Sequence, residues 1–209
     1  MRARFLRRWI LLVSIGEASG FAVATAVAIL TIVWGTPDPW RLLLVVAAGA
    51  VEGAALATGQ YAAMGSRRPR RALWVGATAG AASLAWLIGM LPSSLGLDID
   101  LAAAVPLLVV GGLVLLATIP VAQWLALGRK KTARWIPVTM AAWLVAIAWT
   151  AAPSPFVDEA SPIGLVAALY VVAGALMAVT VASLTARTAW SLFGPDAEAV
   201  SGPESTSRS

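Results

Sequence analysis

The chain of 209 residues contains no cysteine and no histidine. Without cysteine it can form no disulfide bond, and it has neither a thiolate nucleophile nor a thiolate metal ligand. Without histidine it lacks the side chain that most often serves as a general base near neutral pH and as a ligand for transition metals. We therefore expect no enzymatic activity, no metal site and no cofactor.

Charged residues are also scarce. Asp, Glu, Lys and Arg together make up 12% of the chain, whereas hydrophobic residues make up 60%. A water-soluble domain of this size needs more polar surface than this to cover itself. The composition therefore indicates an integral membrane protein whose main partner is the lipid bilayer.

Six long apolar runs divide the chain, and each is close to the roughly 20 residues that a helix needs to cross about 30 Å of hydrocarbon. They predict an all-α fold, a bundle of six transmembrane helices. The runs cover residues 9–34, 42–64, 72–91, 101–127, 135–152 and 162–185. We expect residues 1–190 to form this transmembrane domain. Residues 191–209 are rich in Gly, Pro, Ser and acidic residues, which predicts a disordered cytoplasmic tail.

The distribution of charge predicts the topology. Basic residues cluster before the first run, between the second and third, between the fourth and fifth, and after the sixth, whereas the other connections carry mainly acidic residues. Basic connections stay in the cytoplasm, so we expect a protein of the cell membrane with both termini cytoplasmic.

The net charge of +5 does not indicate a nucleic-acid partner, because the sequence contains no basic stretch with interleaved aromatic residues.

The sequence repeats itself after a shift of 63 residues. The shift aligns uncommon residues: Gln60 with Gln123, Gly65 with Gly128, and Trp86 with Trp149. We predict three tandem helical hairpins, each made of two consecutive spans, related by an axis along the membrane normal. The alternative is a chance match between segments rich in Ala, Gly and Leu.

One pattern within the repeat is GGLVLLATIPVAQWLALGRKKTARW, in which Gly, a Gln–aromatic pair, Gly followed by basic residues and a Trp at the start of the next helix appear in order. This pattern resembles repeats in bacterial multi-pass membrane proteins to which no activity is attached. The resemblance covers spans two to five and implies a bundle of helical hairpins. It implies nothing about chemistry.

Two glutamates lie inside apolar runs, Glu17 in span one and Glu52 in span two. At about 1.5 Å per residue, both lie within the hydrocarbon layer and about one helical turn apart in depth. A charged carboxylate there costs at least about 2.5 kcal/mol, so the pair should face the bundle interior and be neutral, paired or sharing one proton. Glu17 and Glu52 are therefore our leading candidates for proton or cation binding. The alternative is a structural hydrogen bond that holds the two helices together.

Three further residues are weaker candidates for the transport pathway. Gln60 and Gln123 could line it, but both lie near predicted cytoplasmic helix ends, where an amide can reach water or cap the next helix, and this structural role is favoured. Pro120 lies deep in span four. It predicts a kink there, either a gate or a static bend.

Glycines four residues apart flank both glutamates and recur in span three. Such pairs let two helix backbones approach closely inside a membrane. We predict helix-packing roles for Gly16, Gly20, Gly49, Gly53, Gly76 and Gly80.

The chain contains ten tryptophans. Tryptophan is enriched where the membrane meets water, so we interpret most of them as interface anchors: Trp9, Trp34, Trp40, Trp74, Trp124, Trp135 and Trp190. Trp86, Trp143 and Trp149 lie deeper, and we expect them to serve packing.

Together these features favour a small transporter or channel-like protein for protons, a cation or a small solute. The alternative is a non-transporting scaffold or accessory subunit whose small-residue faces bind another membrane protein or a second copy of the chain. A third hypothesis is an external metal site for an intramembrane enzyme at the acidic connections. Its candidate ligands are Asp98, Asp100, Asp158 and Glu159, but clustered acids in such connections are usually solvated.

Overall fold

The computed structural model describes residues 1–65, 67–94, 101–128, 132–158 and 160–194. In these residues the regular structure is helical, which confirms the predicted all-α fold. The helices are α1 (Arg2–Val33), α2 (Asp38–Ala63), α3 (Arg71–Ser94), α4 (Leu101–Leu127), α5 (Trp135–Ala151) and α6 (Ile163–Phe193), with a short 3-10 turn at Ser154–Phe156. All six long helices are apolar and long enough to cross a membrane.

Local sequence explains where several helices start and stop. Gly35, at a φ of 60°, ends α1 in a left-handed conformation that glycine adopts without strain. The Pro37-Asp38-Pro39 segment then begins α2, because proline is tolerated where a helix starts. At the other end of α2, the Arg68 guanidinium donates hydrogen bonds to the carbonyl oxygens of Met64 and Gly65, which satisfies backbone acceptors that the helix leaves open.

The six helices form a closed ring. Each helix packs against the next one along the chain, and α6 packs against α1. The contact between α4 and α5 is the least extensive of the six. A ring of neighbours leaves an interior that all six helices can line.

The two ends of the ring differ in charge. The start of α1, the end of α2 and the end of α6 meet at one end, where Arg8 Nη2 donates to the carbonyl oxygen of Ala62 at 2.6 Å and the Gly65 N–H donates to the carbonyl oxygen of Phe193 at 3.1 Å. Most of the 15 basic residues lie in these segments or directly after α2: Arg2, Arg4, Arg7, Arg8, Arg67, Arg68, Arg70, Arg71 and Arg187. We call this the basic end, and the other the open end.

A cluster of aromatic rings fills the ring interior at the basic end. The Phe193 ring lies at its centre, with centroids 6.0 Å from Trp9, 6.2 Å from Trp74 and 6.1 Å from Trp135, and Phe5 stacks on Trp9. We call these five residues the aromatic plug.

The interpretation of Trp9, Trp74 and Trp135 as interface anchors is wrong, because all three side chains are 0% exposed. An interface anchor must reach the lipid headgroups, and these rings pack against one another instead. Trp34 and Trp40, by contrast, are exposed at the ends of their helices.

The predicted boundary between domain and tail also needs correction. Residues 191–193 were assigned to the tail, but they form the last turn of α6, and the Phe193 side chain is buried in the aromatic plug. Burial of this ring stabilises an additional turn of helix. The rest of the predicted tail, residues 195–209, and the acids Asp98, Asp100 and Glu159 lie outside the described residues.

Candidate functional site

The two glutamates are brought together by a close crossing of α1 and α2. A Cβ atom at Gly16 would lie 2.5 Å from the carbonyl oxygen of Ala55, and one at Gly20 would lie 2.6 Å from Cα of Glu52. Real side chains do not approach a backbone so closely, so only glycine fits at these two positions. The crossing places Glu17, one residue beyond Gly16, beside Glu52.

Both carboxyl groups are buried inside the bundle. Glu17 is 0% exposed and Glu52 is 7% exposed, and the two groups lie close enough to interact. Trp86 Nε1 donates a hydrogen bond of 2.7 Å to Glu52 Oε2. Neither carboxyl oxygen of Glu17 has a hydrogen-bond partner of good geometry in the described part of the chain.

This contrast matters because a buried polar group without a hydrogen bond costs about 1–3 kcal/mol, and more when it is charged. Trp86 removes part of that cost for Glu52. Glu17 therefore retains an unused capacity to accept hydrogen bonds or to interact with a positive charge.

Trp86 reaches Glu52 because Gly49 makes room for its ring. A Cβ atom at Gly49 would overlap the Trp86 indole, and one at Gly53 would lie 2.5 Å from the Ala82 side chain. These two glycines of α2 therefore lie against α3.

Trp86 was expected only to pack against other side chains, and its hydrogen bond to Glu52 was not predicted. A signal was available, because a tryptophan deep in the bilayer needs an acceptor for its indole N–H.

The packing role predicted for Gly76 and Gly80 is absent from the structure. Both glycines lie on the exposed face of α3, and a Cβ atom at either position would meet no atom of the described residues within 4 Å. The spacing of the glycines was read correctly as one helical face, but that face points out of the ring.

The carboxyl pair forms the floor of a cavity of about 950 Å³ in the ring interior. All six helices contribute to its wall, and it extends from Glu17, Glu52 and Leu56 to Val157 and Asp158 in the connection between α5 and α6. Asp158 is exposed, so the cavity reaches the surface at the open end. On the side of the basic end it is lined by Leu56, which lies one helical turn before Gln60 on α2. We call the part of the bundle between the carboxyl pair and the basic end the closed half, and the part around the cavity the open half.

Below the cavity floor lies a network of polar side chains. Gln123 Nε2 donates to Gln60 Oε1 at 2.9 Å and to Thr78 Oγ1 at 3.1 Å, and Trp135 Nε1 donates to Gln123 Oε1 at 2.9 Å. We call these four residues the amide network. They connect α2, α3, α4 and α5, and Trp135, which belongs to both groups, joins the amide network to the aromatic plug.

The position of the two glutamines differs from the prediction. We expected their amides to reach water or to cap a helix, but Gln60 and Gln123 are buried and bond to each other. Each hydrogen bond across the ring is stronger in this apolar interior than it would be in water. Thr78 and Trp135 were not predicted as partners, and only the alignment of the two glutamines in the repeat pointed to this network.

Pro120 is buried in α4 three residues before Gln123, and α4 continues as a helix through it. The proline therefore lies one turn from the amide network. Its role as a gate or a static bend stays a prediction.

No protein-family model matches the chain, and neither a curated protein nor a solved structure shows significant similarity to it. The comparisons therefore carry no functional assignment to these residues. The geometry of the cavity, its floor and the closed half below it is the basis for inferring function.

Proposed function

We propose that the protein is a small transporter that moves protons, a cation or a small solute across the cell membrane, with Glu17 and Glu52 as its binding groups. The observation that carries this proposal is a cavity that is open at one end of the ring and has a pair of buried carboxyl groups at its floor, with no basic side chain among the described residues that line it. Ionisable side chains inside the membrane mark substrate and ion pathways. A purely structural glutamate would be expected to have its hydrogen bonds satisfied.

The closed half of the bundle favours a carrier over an open pore. The amide network and the aromatic plug fill the ring interior between the carboxyl pair and the basic end. A transported species that reaches Glu17 from the open end can leave at the basic end only after these side chains separate. Carriers expose their binding site to one side at a time through such rearrangements.

We also propose the three-hairpin arrangement, and two hydrogen bonds support it. Trp9 Nε1, on the first helix of hairpin one, donates to Thr185 Oγ1 at 3.3 Å on the last helix of hairpin three. Trp135 Nε1, on the first helix of hairpin three, donates to Gln123 Oε1 on the last helix of hairpin two. The same contact therefore occurs at two of the three junctions between hairpins.

The third junction departs from this pattern. The shift of 63 residues aligns Trp9 with Ala72, and the nearby Trp74 has a buried indole N–H that finds no hydrogen-bond partner among the described residues. The acceptor that it would use, Gln60 Oε1, instead bonds Gln123. Gln60 and Gln123 are 63 residues apart, so equivalent side chains of two hairpins meet across the ring.

For topology, we propose that the basic end faces the cytoplasm, in agreement with the positive-inside rule. The natural absence of cysteine allows a direct test with the single variants Arg70→Cys at the basic end and Ser154→Cys at the open end. A membrane-impermeant maleimide added to whole cells should label Ser154→Cys alone. Labelling of Arg70→Cys in intact cells would reverse the orientation.

Transport is tested in proteoliposomes that carry an internal pH-sensitive dye, with an imposed pH gradient and with sodium gradients. We expect flux above that of empty vesicles, and Glu17→Gln and Glu52→Gln should each abolish it. Asp38→Asn is the matched control, because this carboxylate pairs with Arg41 outside the cavity. Flux that is unchanged in both cavity variants, or no flux of proton, sodium or organic cation at all, would refute the transporter.

The scaffold hypothesis keeps one observation in its favour. Gly76 and Gly80 present a small-residue face to the outside of the ring, a surface on which a helix of another membrane protein can pack. Gly76→Leu would then abolish association with a second copy or a partner in mild detergent and leave cavity properties intact. An unchanged assembly state in Gly76→Leu would remove this alternative.

A further inference from the structure

The floor and the wall of the cavity differ in chemistry. The floor carries the Glu17 and Glu52 carboxyl groups, and the exposed Asp158 lies at the mouth. The described residues that line the cavity include no lysine and no arginine. Most of the remaining wall is aliphatic or aromatic, including Phe21 and Trp143. The site therefore combines negative charge at its deepest point with a large apolar surface above it.

We propose that the cavity binds an organic monocation, such as a lipophilic amine, quaternary ammonium or phosphonium ion. Its positive charge lies at Glu17 and Glu52, and its apolar body lies along the cavity wall towards the open end. This inference rests on the proposed transport function, since it concerns the same cavity and the same two carboxyl groups. It narrows the transported species from protons, cations or solutes to one chemical class.

The charges at the floor favour a single positive charge. Two ionised carboxylates in one buried site repel each other, so a bound cation needs to meet no more than one negative charge at the pair. The Trp86 N–H already occupies Glu52 Oε2, whereas Glu17 accepts no hydrogen bond of good geometry from the described residues and has the neighbouring Glu52 carboxyl group beside it. A monocation beside Glu17 completes the pairing and leaves the floor neutral, which a buried site requires.

The donor set fits an organic cation better than a hard inorganic one. Calcium and magnesium need about six or more oxygen ligands at fixed distances, whereas the lining near the carboxyl pair consists mainly of carbon atoms. Among the described residues no three Asp or Glu side chains are grouped so as to hold a metal ion. An organic cation is weakly hydrated, and it interacts favourably with the faces of aromatic rings such as Trp86, Trp143 and Tyr170.

The size of the cavity agrees with this class of ligand. Its volume of about 950 Å³ lies near the upper end of the range for sites that take drug-sized molecules, about 300–1,000 Å³. A proton or a bare metal ion requires no such space. An apolar cation of several rings or a long alkyl chain would cover the wall residues of α1, α4 and α5 while its charge reaches the floor.

The test is equilibrium dialysis of the purified full chain in lipid nanodiscs with radiolabelled tetraphenylphosphonium. The unlabelled cation should compete for one saturable site. Tetraphenylborate, which has nearly the same size and shape but the opposite charge, should not compete. This comparison uses the unmodified protein, so it does not depend on any variant folding correctly.

Variants then locate the site. The double variant Glu17→Gln, Glu52→Gln should weaken binding by about 10-fold to 100-fold, the effect of losing one charge-assisted interaction. Leu116→Trp should also block binding, because a larger ring at this wall position fills the cavity without changing its charge. Asp38→Asn, outside the cavity, should bind as tightly as the unmodified protein.

The outcomes separate this inference from the transport proposal. Absence of saturable binding, competition by tetraphenylborate, or full affinity in the double glutamine variant would each overturn the organic-cation site. If proton flux that depends on Glu17 is nevertheless observed, the transport proposal is supported although the organic-cation site is rejected. Charge-selective binding lost in the double variant, but with no flux in proteoliposomes, would uphold the site and reject transport.

Discussion

The closed and open halves of the ring use buried polar side chains in opposite ways. In the closed half, Gln60, Thr78, Gln123 and Trp135 bond one another in the amide network. In the open half, Glu17 is equally buried but has no partner of good geometry among the described residues. The difference teaches that burial alone does not identify a functional polar group here. What separates a structural polar side chain from a candidate binding group is whether the fold satisfies it.

The two halves also differ in which side chains lie between the helices. Near the floor of the cavity, Gly16 and Gly20 let α1 and α2 touch backbone to backbone. At the basic end, the rings of Trp9, Trp135 and Phe193 fill the ring interior and pack with centroids about 6 Å apart. Large rings close one half, whereas helices of the other half surround an open volume. The following four predictions test this contrast, in order of decreasing effect on stability.

The largest loss of stability is expected for Gln123→Leu. The substitution removes the central member of the amide network. The buried polar atoms of Gln60, Thr78 and Trp135 then lose their hydrogen bonds to Gln123. At about 1–3 kcal/mol for each unsatisfied group, the free energy of unfolding should fall by about 3 kcal/mol or more. Thermal unfolding in detergent, followed by tryptophan fluorescence, measures the change.

Leu125→Ala on the same helix is the control for this variant, since Leu125 is 64% exposed and its truncation should change stability little. Equal stability of Gln123→Leu and the unmodified chain would show that the closed half does not depend on its hydrogen bonds. The claim that the buried polar side chains of the closed half are structural would then be wrong.

A smaller loss is expected for Gly20→Ala. The new methyl group would lie 2.6 Å from Cα of Glu52, so α1 and α2 must move apart, and overpacking of this kind costs about 1–3 kcal/mol. The melting temperature should fall, and binding of an organic cation should weaken with it because the two carboxyl groups separate.

The matched control is Gly76→Ala, the same chemical change on the open face of α3. There a Cβ atom meets nothing within 4 Å, and alanine is the better helix former by about 0.5–1 kcal/mol. The two variants should therefore shift stability in opposite directions. A similar loss in both would mean that the α1–α2 crossing is not closely packed.

Trp86→Phe should have a modest effect. It keeps most of the ring over Gly49 but removes the N–H that Glu52 accepts at 2.7 Å, a hydrogen bond worth about 1 kcal/mol or somewhat more. Stability should fall by about that amount in a denaturation experiment. Trp149→Phe, which removes an indole bond to Thr180 outside the cavity, is the comparison for the loss of a tryptophan as such.

Trp86→Phe also tests the comparison between the halves, because Glu52 then loses its indole donor and has, like Glu17, mainly the neighbouring carboxyl group to interact with. Cation binding should survive in this variant with altered affinity. Complete loss of binding with normal folding would instead make Trp86 itself an essential part of the site.

The smallest effect on stability is expected for Glu17→Gln. Since Glu17 makes no hydrogen bond of good geometry with the described residues that the substitution could break, the free energy of unfolding should change by no more than about 0.5 kcal/mol, the size of an ordinary surface substitution. Flux should nevertheless be lost, and cation binding should weaken. A large destabilisation would contradict the functional reading and would assign Glu17 to holding α1 and α2 together.

Several features of the structure could be predicted from the sequence for physical reasons. Crossing a bilayer requires long apolar helices, so the spans follow from composition. Counting helical rise placed Glu17 and Glu52 at similar depths on neighbouring helices, and the structure has both at one cavity floor. The repeat aligned Gln60 with Gln123, which bond each other.

The orientation of individual helix faces could not be predicted in the same way. In a soluble helix the apolar face marks the interior, but lipid and protein interior are both apolar, so this signal disappears. Gly76 and Gly80 were therefore placed inside the ring although they face outward. Trp9, Trp74 and Trp135 were placed at the interface, because tryptophan suits both the headgroup region and a packed aromatic core.

The position of the closed half determines where the membrane potential would fall along the bundle. When the cavity holds water, the voltage of the open side extends to Glu17, because a water-filled cleft with low-dielectric walls concentrates field lines. The membrane potential then falls mainly across the amide network and the aromatic plug, and a charge that passes Gln123 gains or loses about 2.3 kcal/mol per 100 mV. If the proposed transport occurs, the residues that close the ring thus also define where voltage acts on the cation.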